Sequence, residues 1–186
     1  MGNPGTKYEG TRHNVGAAAV ALLAQRVGER LRPSKEEALL SEARLDGHRV
    51  LLAFPTTYMN DSGRAVVRLW RRGGQEDLSR LVVLHDELDL PPGRVKLKLG
   101  GGLAGHNGLR SIEAHLHSRE FARVRIGVGK PPGGKDHGVG HVLSKVGGAS
   151  RELLGAAVVE AADAVEAIAS EGMDAAMARF NARPPG

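Results

Sequence analysis

The sequence contains no cysteine among its 186 residues. This absence excludes disulfide bonds, thiolate nucleophiles and metal sites with cysteine ligands. Any catalytic or binding chemistry must therefore come from histidine, carboxylate, amide, hydroxyl and basic side chains.

Aromatic residues are also scarce, with three phenylalanines, two tyrosines and one tryptophan. None of them alternates with basic residues as in a sheet that stacks nucleic-acid bases. Basic residues are nevertheless in excess, because 26 lysines and arginines face 21 acidic residues and give a formal net charge of +5. This charge favours a polyanionic partner such as nucleic acid, and phosphate contacts would dominate its binding.

Long apolar runs are missing as well, since no stretch reaches the length of a transmembrane helix. The N-terminus lacks the apolar core of a signal peptide, and we expect a cytoplasmic protein with no membrane partner. A chain of this length can bury one sizeable core. Residues 1–186 are therefore predicted to form a single domain.

Helical and strand-like segments alternate along the chain. Apolar residues recur at helical spacing from Val15 to about Leu31, from Ser62 to about Arg72, after Asn107, and from Arg151 to Ser170. Apolar runs at 48–54 and 80–85 and an alternating segment at 122–129 are typical of strands. The order predicts an α/β fold with a mostly parallel twisted sheet flanked by helices. A Gly/Pro-rich segment at about 130–145 is predicted to be mobile, and residues 149–182 to be mainly helical.

Three polar clusters adjoin these elements. They are "PTTYMNDSG" (55–63) and "HDELDLPPG" (85–93), which each follow a predicted strand, and "GGGLAGHNG" (100–108), which leads into a helix. Ligands of α/β sheets gather outside the carboxyl ends of the strands. We therefore expect the three clusters to open onto one rim.

His13 lies in "TRHN", directly before the first predicted helix. An imidazole is a suitable general base because its ordinary pKa is about 6.5. Asp86, at the end of a predicted strand, is the preferred partner, since a carboxylate can hold Nδ1 and stabilise the imidazolium. The alternative is that His13 and Asp86 merely cap structural elements, and the residues themselves leave both interpretations open.

Asn3, Asn60 and Asn107 form a second group of candidates, each beside a glycine or at an element boundary. An amide both donates and accepts hydrogen bonds, so it suits a peptide backbone or a developing oxyanion. Taken singly, each asparagine is also typical of a turn or a helix N-cap. Their concentration in the polar clusters favours a functional role.

Two other kinds of site are conceivable from the polar clusters. The glycine-rich cluster does not follow a strand with an acidic residue about 20 positions on, which argues against a dinucleotide loop. The second is a metallohydrolase site, with ligands from the polar run at 85–89 and one further histidine. No two-ligand spacing such as HExxH supports it. The candidate ligands are His85, Asp86, Glu87 and Asp89, with His13 or His106. For Glu87 and Asp89 a solvated turn is the simpler interpretation.

Basic residues alternate in two short segments. Lys96 and Lys98 lie in one, and Arg123 and Arg125 lie on one face of the predicted strand at 122–129. Solvated sheet surface is the interpretation that these spacings favour by themselves.

Taken together, five segments resemble the motifs of the bacterial peptidyl-tRNA hydrolase family, in that family's order. They are "GNPGTKYEGTRHNVG", "PTTYMNDSG", "HDELDLPPG", "KLKLGGGLAGHNGLRSI" and "FARVRIGVGKP". The resemblance spans residue 2 to about residue 145. It implies an esterase that cleaves the bond between a peptide and the 3′ ribose of tRNA and recycles prematurely released peptidyl-tRNA.

The resemblance also implies a role for each matching residue. His13 is the base, Asp86 orients it, and no metal or other cofactor is expected. The remaining matches bind or position the substrate. By the resemblance, Asn3 and Asn60 position substrate and water, and Asn107 orients the tRNA end. The cleft is lined by Tyr8, Met59 and His106, and the 5′ phosphate is bound by Lys98 and Arg125. The partner is thus peptidyl-tRNA, contacted at its acceptor end and 5′ phosphate by a protein expected to be a monomer with a lid at about 130–145.

The sequence departs from the family pattern at two places. Family members carry a hydrophobic strand directly before "GNPG", whereas this chain begins at Met1, so a first strand is expected to be missing. His141 stands in the lid where an apolar residue is expected. Two alternatives remain at this point: an RNA-binding relative without activity, and a metal-dependent hydrolase built around His85 and Asp86.

Overall fold

The alternating segments form helices and strands in the computed structural model, which describes residues 1–134 and 137–182. The helices are α1 (Val15–Arg26), α2 (Ser62–Gly73), α3 (Asn107–Leu116), α4 (Gly138–Leu143), α5 (Ala149–Glu171) and α6 (Met173–Asn181). The strands are β1 (Arg32–Ser34), β2 (Ala38–Leu45), β3 (His48–Pro55), β4 (Val82–Glu87), β5 (Val95–Leu99) and β6 (Ala122–Gly127). Short 3₁₀ turns at Arg12–Asn14 and Met59–Asp61 lead into α1 and α2.

The predicted helices are all present, but α1 is shorter than its apolar pattern. It ends at Arg26, and Gly28 then adopts a φ of 73°. This left-handed backbone conformation favours glycine and turns the chain out of the helix. The apolar residues at 27 and 31 therefore pack against the core from a loop.

The strands form two three-stranded sheets, β1-β2-β3 and β4-β6-β5. The α/β class with flanking helices is confirmed, whereas the expected mostly parallel sheet is wrong. Among the described residues only the β4–β6 pair is parallel, and the other three pairs are antiparallel.

A tight hairpin explains much of this difference. Asp46 and Gly47 join β2 to β3 with φ values of 46° and 80°. Two successive positive φ angles are the requirement of a type I′ turn, whose twist matches that of two antiparallel strands. The "DG" pair was therefore a local signal for an antiparallel hairpin, and the apolar runs alone carry no information on strand direction.

Helices cover both faces of the sheets. α1 and α5 pack together over β4 and β6 in the larger apolar core, which includes Leu23, Val124 and Ala161. α2 and α3 pack over the other face around a smaller cluster; its buried members are Met1, Met59, Val66, Val83, Leu109, Ile112 and Phe121. Both helix layers lead toward the end of β4, where Asp86 lies.

Between the two sheets lies a largely apolar cavity of about 870 Å³. β3 and β4 are the outermost strands that border it, and helices α1, α2 and α5 cover it. Met1 reaches into the same space, and its amino group donates a hydrogen bond to Leu84 O at 2.7 Å. The expected additional strand stays a prediction.

We predict that an N-terminal extension of about five to eight residues rich in Val, Leu and Ile stabilises the fold. Such a strand would pair with β3 and β4 and fill the cavity. Each buried Val, Leu or Ile contributes about 1.5–3 kcal/mol, and the cost of ordering the extension, about 1–2 kcal/mol per residue, offsets most of this gain. Thermal melts should show a rise in Tm of roughly 5–10 °C. A Gly/Ser extension of equal length is the control, and equal melting of both extended forms would contradict the prediction.

The predicted lid segment at 130–145 contains α4, while residues 135–136 lie outside the described residues. Its mobility, the monomeric state and the cytoplasmic location stay predictions. Within the described ranges, no helix combines the length and apolarity that a membrane span requires.

Candidate functional site

The site is built around a contact between His13 and Asp86. His13 lies in the 3₁₀ turn before α1, and Asp86 is the penultimate residue of β4. Their Nδ1 and Oδ1 atoms are 2.8 Å apart. The Asp86 side chain is 3% exposed and that of His13 is 12% exposed, so the carboxylate is buried while the imidazole reaches the surface.

Gly16 permits this contact by letting α1 pass close to β4. A Cβ at this position would lie 2.2 Å from Leu84 O and 2.7 Å from the Met1 nitrogen. Any side chain would therefore displace the start of α1 from the strand. The glycine in "HNVG" is needed because the histidine before it must reach the strand end.

His106 makes a second contact with the same carboxylate oxygen. Its Nε2 lies 2.8 Å from Asp86 Oδ1. Its Nδ1 accepts hydrogen bonds from the backbone N–H groups of Gly108 and Leu109, at 3.2 and 3.3 Å, and so caps α3. The side chain is 8% exposed, and its ring centroid lies 5.2 Å from that of His13.

These partners define where the ring protons lie. His106 accepts through Nδ1, so its proton must be on Nε2, directed at Asp86. His13 donates Nδ1–H to the carboxylate, which leaves the Nε2 lone pair of the neutral ring free. His13 can therefore act as a base through Nε2.

The same protons decide against a metal centre. One ligand atom each from His13, Asp86 and His106 lie within 4.8 Å of one another, a spacing that could hold an ion. A metal needs an unprotonated nitrogen, yet capping of α3 keeps the proton on His106 Nε2. The donor set thus fits a hydrogen-bonded network better than a metal site.

Asp86 is ionised despite its burial. Burial opposes ionisation, but interaction with His106 and hydrogen bonds from His106 and His13 outweigh it and hold the pKa of the carboxyl well below its ordinary value. The negative charge remains available to stabilise a protonated His13.

His85, the residue before Asp86, is a neutral structural histidine. It is 2% exposed, its Nδ1 lies 2.8 Å from Asp86 O, and its Nε2 has no hydrogen-bond partner in the described part of the chain. Burial lowers its pKa to about 3, and the nearby His106 acts in the same direction. The unfolded chain, in which the pKa of His85 is ordinary, binds a proton at this residue more readily than the folded chain does. Acidification therefore favours unfolding.

We predict that His85→Asn reduces this acid sensitivity. Asn can retain a donor to Asp86 O but does not titrate. The unfolded histidine takes up a proton below pH 6.5 and the folded one only near pH 3, so the His85 contribution is present above pH 6.5 and declines toward pH 3. Between pH 7 and pH 5 the wild type should lose about 2 kcal/mol more unfolding free energy than the variant. Urea denaturation at both pH values measures this difference, and equal losses would contradict it.

Asn3 joins the N-terminal segment to the cluster at 55–63. Its Oδ1 accepts the Met59 backbone N–H at 2.7 Å. The side chain of Asn14 forms two hydrogen bonds with the Asn3 backbone. Its Oδ1 accepts from Asn3 N–H and its Nδ2 donates to Asn3 O, each at 2.9 Å. This role was not predicted from the sequence. Asn3 thus has a structural function in addition to any contact with substrate.

The remaining predicted cleft residues differ in exposure. Asn60 and Asn107 are exposed at the starts of α2 and α3, Tyr8 is half-buried, and Met59 is buried in the smaller apolar cluster. Met59 therefore supports the floor of the site. Tyr58, another residue that sequence analysis missed, is 59% exposed and meets Tyr8 edge-on with ring centroids 6.5 Å apart.

The basic residues share one face of the second sheet. Lys96 lies opposite Arg125 and Lys98 opposite Arg123 in the β5–β6 register, so Lys98 and Arg125 are diagonal neighbours. Arg123 is 2% exposed and donates to Gly101 O and Gly102 O at 2.7 and 2.6 Å. The solvated-surface interpretation is therefore wrong for Arg123, which holds the glycine-rich loop.

Glu87 also corrects the sequence interpretation. It was expected in a solvated turn, but it is 4% exposed and its Oε2 accepts from Arg125 Nε at 3.0 Å. Asp89 does lie in such a turn, with a side chain that is 58% exposed beside Lys130. Strand alternation was the signal for Glu87, because β4 continues through this residue and brings it to the arginine-bearing face.

Contacts with the segment after α4 hold the turn that carries His13. Arg12 Nη1 donates to Ser144 Oγ at 2.6 Å, and Thr11 forms a bridge with Lys145. His141, the departure in the lid, lies with Nε2 3.1 Å from Gly129 O and so ties α4 to the end of β6. A polar side chain at 141 is thus accommodated by a backbone carbonyl.

Known proteins resemble the chain along its whole length. The family model for peptidyl-tRNA hydrolase matches residues 1–185. A peptidyl-tRNA hydrolase of Cutibacterium acnes is 47% identical over 192 residues, covering 97% of this chain and 95% of the relative. One from Nocardia farcinica is 49% identical over 177 residues, covering 95% and 91%. The crystal structure of peptidyl-tRNA hydrolase from Acinetobacter baumannii superposes with a TM-score of 0.91 at 39% identity, over 100% of this chain and 93% of that one.

The fold and these matches define a hydrolase of the α/β class that acts on an ester bond. The chain belongs to the peptidyl-tRNA hydrolase family. The resemblance stated from the sequence motifs is thereby confirmed.

Proposed function

We propose that this protein hydrolyses the ester between the peptide and the 3′ ribose of peptidyl-tRNA, with His13 as general base. The observation that carries the proposal is the 2.8 Å contact between His13 Nδ1 and Asp86 Oδ1. It leaves the opposite ring nitrogen free to accept a proton, on a side chain that is partly exposed. Membership of the family supplies the substrate class.

The reaction begins when His13 Nε2 takes a proton from water as the water oxygen bonds to the ester carbonyl carbon. Asp86 stabilises the imidazolium that forms. The tetrahedral intermediate then breaks its bond to the ribose 3′ oxygen, which takes the proton from His13 and leaves as the tRNA hydroxyl. The peptide leaves as a carboxylic acid and ionises, so no covalent enzyme intermediate or oxidant is required.

The exposed amides provide the complementary functions. Asn60 and Asn107 stand at the starts of two neighbouring helices, where they can donate to the developing oxyanion or to the tRNA end. General-base assistance contributes roughly 10²- to 10⁴-fold. Positioning by these amides and by Asn3 must supply much of the remaining rate enhancement.

We predict that His13→Ala lowers single-turnover cleavage by roughly 10²- to 10⁴-fold and changes tRNA affinity only a few-fold, because the ring acts on water. Asp86→Asn should impair turnover less. His48→Ala is the matched control, since His48 is an exposed histidine at the start of β3. Near-normal cleavage by the His13 variant would remove it from the mechanism.

Recognition of the substrate is proposed to use the 5′ phosphate of tRNA. Arg125 contacts Glu87 through Nε, which orients the guanidinium and leaves its terminal amino groups for a phosphate. Lys98 lies diagonally across the β5–β6 pair, and Lys96 directly opposite Arg125. These three cations offer a net positive charge of two beside Glu87, which favours a phosphate over a neutral group.

We predict that Lys98→Ala combined with Arg125→Ala raises KM with little effect on kcat. The slope of log(kcat/KM) against log salt should become shallower by about one to two units. Arg30→Ala with Lys35→Ala, which removes equal charge from another exposed region, is the control. The loss should appear with 5′-phosphorylated peptidyl-tRNA and nearly vanish with the dephosphorylated substrate, whereas equal losses on both would contradict the phosphate contact.

A further inference from the structure

His106 has two fixed contacts that together restrict its chemistry. One ring nitrogen caps α3 by accepting from Gly108 and Leu109, and the other donates to Asp86 Oδ1. A second proton on Nδ1 would face these two N–H groups and the positive end of the helix. The ring is therefore built to donate to the carboxylate and not to exchange protons with substrate.

We propose that His106 is a positioning residue that acts through Asp86 and sets the strength of His13 as a base. This inference rests on the proposed general-base mechanism and assigns His106 a place in it other than lining the cleft. Its Nε2 lies 2.8 Å from Asp86 Oδ1, so it is placed to hold the carboxylate.

His106 can influence His13 because both rings donate to the same oxygen of Asp86. Asp86 Oδ1 accepts from His13 and from His106 at the same distance, 2.8 Å. Each donor draws negative charge toward itself, so His106 weakens the hold of the carboxylate on the protonated form of His13. Without His106 the whole negative charge of Asp86 would act on the protonated form of His13.

The other ionisable groups around this cluster come from three elements. The Met1 amino group and His85 are both uncharged at neutral pH, because burial lowers their pKa values to about 5 and about 3. Arg123 on β6 interacts with His85 and is bound to backbone carbonyls. Because the Met1 amino group and His85 carry no charge at neutral pH, the Asp86 carboxylate is the charged group that His13 and His106 both contact.

Two substitutions separate the capping contact from the carboxylate contact. His106→Asn keeps an N-cap acceptor for α3 but is too short to donate to Asp86. His106→Gln has the length to carry an amide donor toward Asp86 but lacks the ring acceptor. If His106 were only a helix cap, the Asn variant would behave as wild type and the Gln variant would be impaired.

If His106 acts through Asp86, the Asn variant should instead be more impaired in catalysis than the Gln variant. In His106→Asn, kcat near neutral pH should fall about threefold, KM should stay within about twofold, and the acid limb of the kcat profile should move to higher pH. His106→Gln should lie closer to wild type in that profile, even if its Tm is lower. An unchanged profile in the Asn variant, or a rise in KM alone, would overturn the proposal.

A measurement without substrate distinguishes this inference from the mechanism on which it rests. NMR titration of the His13 ring should show its midpoint at higher pH in His106→Asn than in wild type, whether or not His13 performs catalysis. Cleavage that survives in His13→Ala would refute the general-base mechanism, while an unmoved His13 midpoint in His106→Asn would refute the coupling through Asp86.

Discussion

Asp86 Oδ1 accepts hydrogen bonds from two histidines that reach it from different elements, His13 before α1 and His106 before α3. A buried carboxylate is unfavourable unless it is paired and hydrogen-bonded. The Asp86 carboxylate at the end of β4 is therefore stable because the residues that precede α1 and α3 both donate to it. The proposed catalytic pair of His13 and Asp86 is therefore part of the structural framework, because losing either histidine donor leaves the buried charge less well compensated.

The surrounding backbone is shaped to bring these elements together. Gly16 lets α1 approach Leu84 O, and the paired contacts between Asn14 and Asn3 hold the chain that precedes the helix. Asn3 then receives the Met59 N–H at the start of α2. The result is a set of short-range constraints around His13 that leaves little freedom in its ring position. Such preorganisation lowers the cost of reaching the reactive geometry.

Sequence patterns predicted the helices, the central strands and the meeting of the polar clusters, because burial and strand ends leave strong local signals. The expected mostly parallel sheet failed since apolar runs do not encode direction, although the turn at Asp46 and Gly47 did. Glu87 was misread because its partner, Arg125, is distant in sequence and meets it only in the folded sheet. For the same reason, the contact of His106 with Asp86 was not predicted from the sequence.

The alternation of β4 separates two kinds of chemistry within two residues. Asp86 is directed to the histidines, and Glu87, the next residue, is directed to Arg125. One rigid strand thereby sets the position of the proposed base relative to the proposed phosphate contact. A substrate anchored at Arg125 and Lys98 would bring its ester toward His13 at a defined distance, without any need to read bases. Because the proposed phosphate contact and the proposed proton transfer use different faces of the same strand, the two can be altered separately while their spacing stays constant.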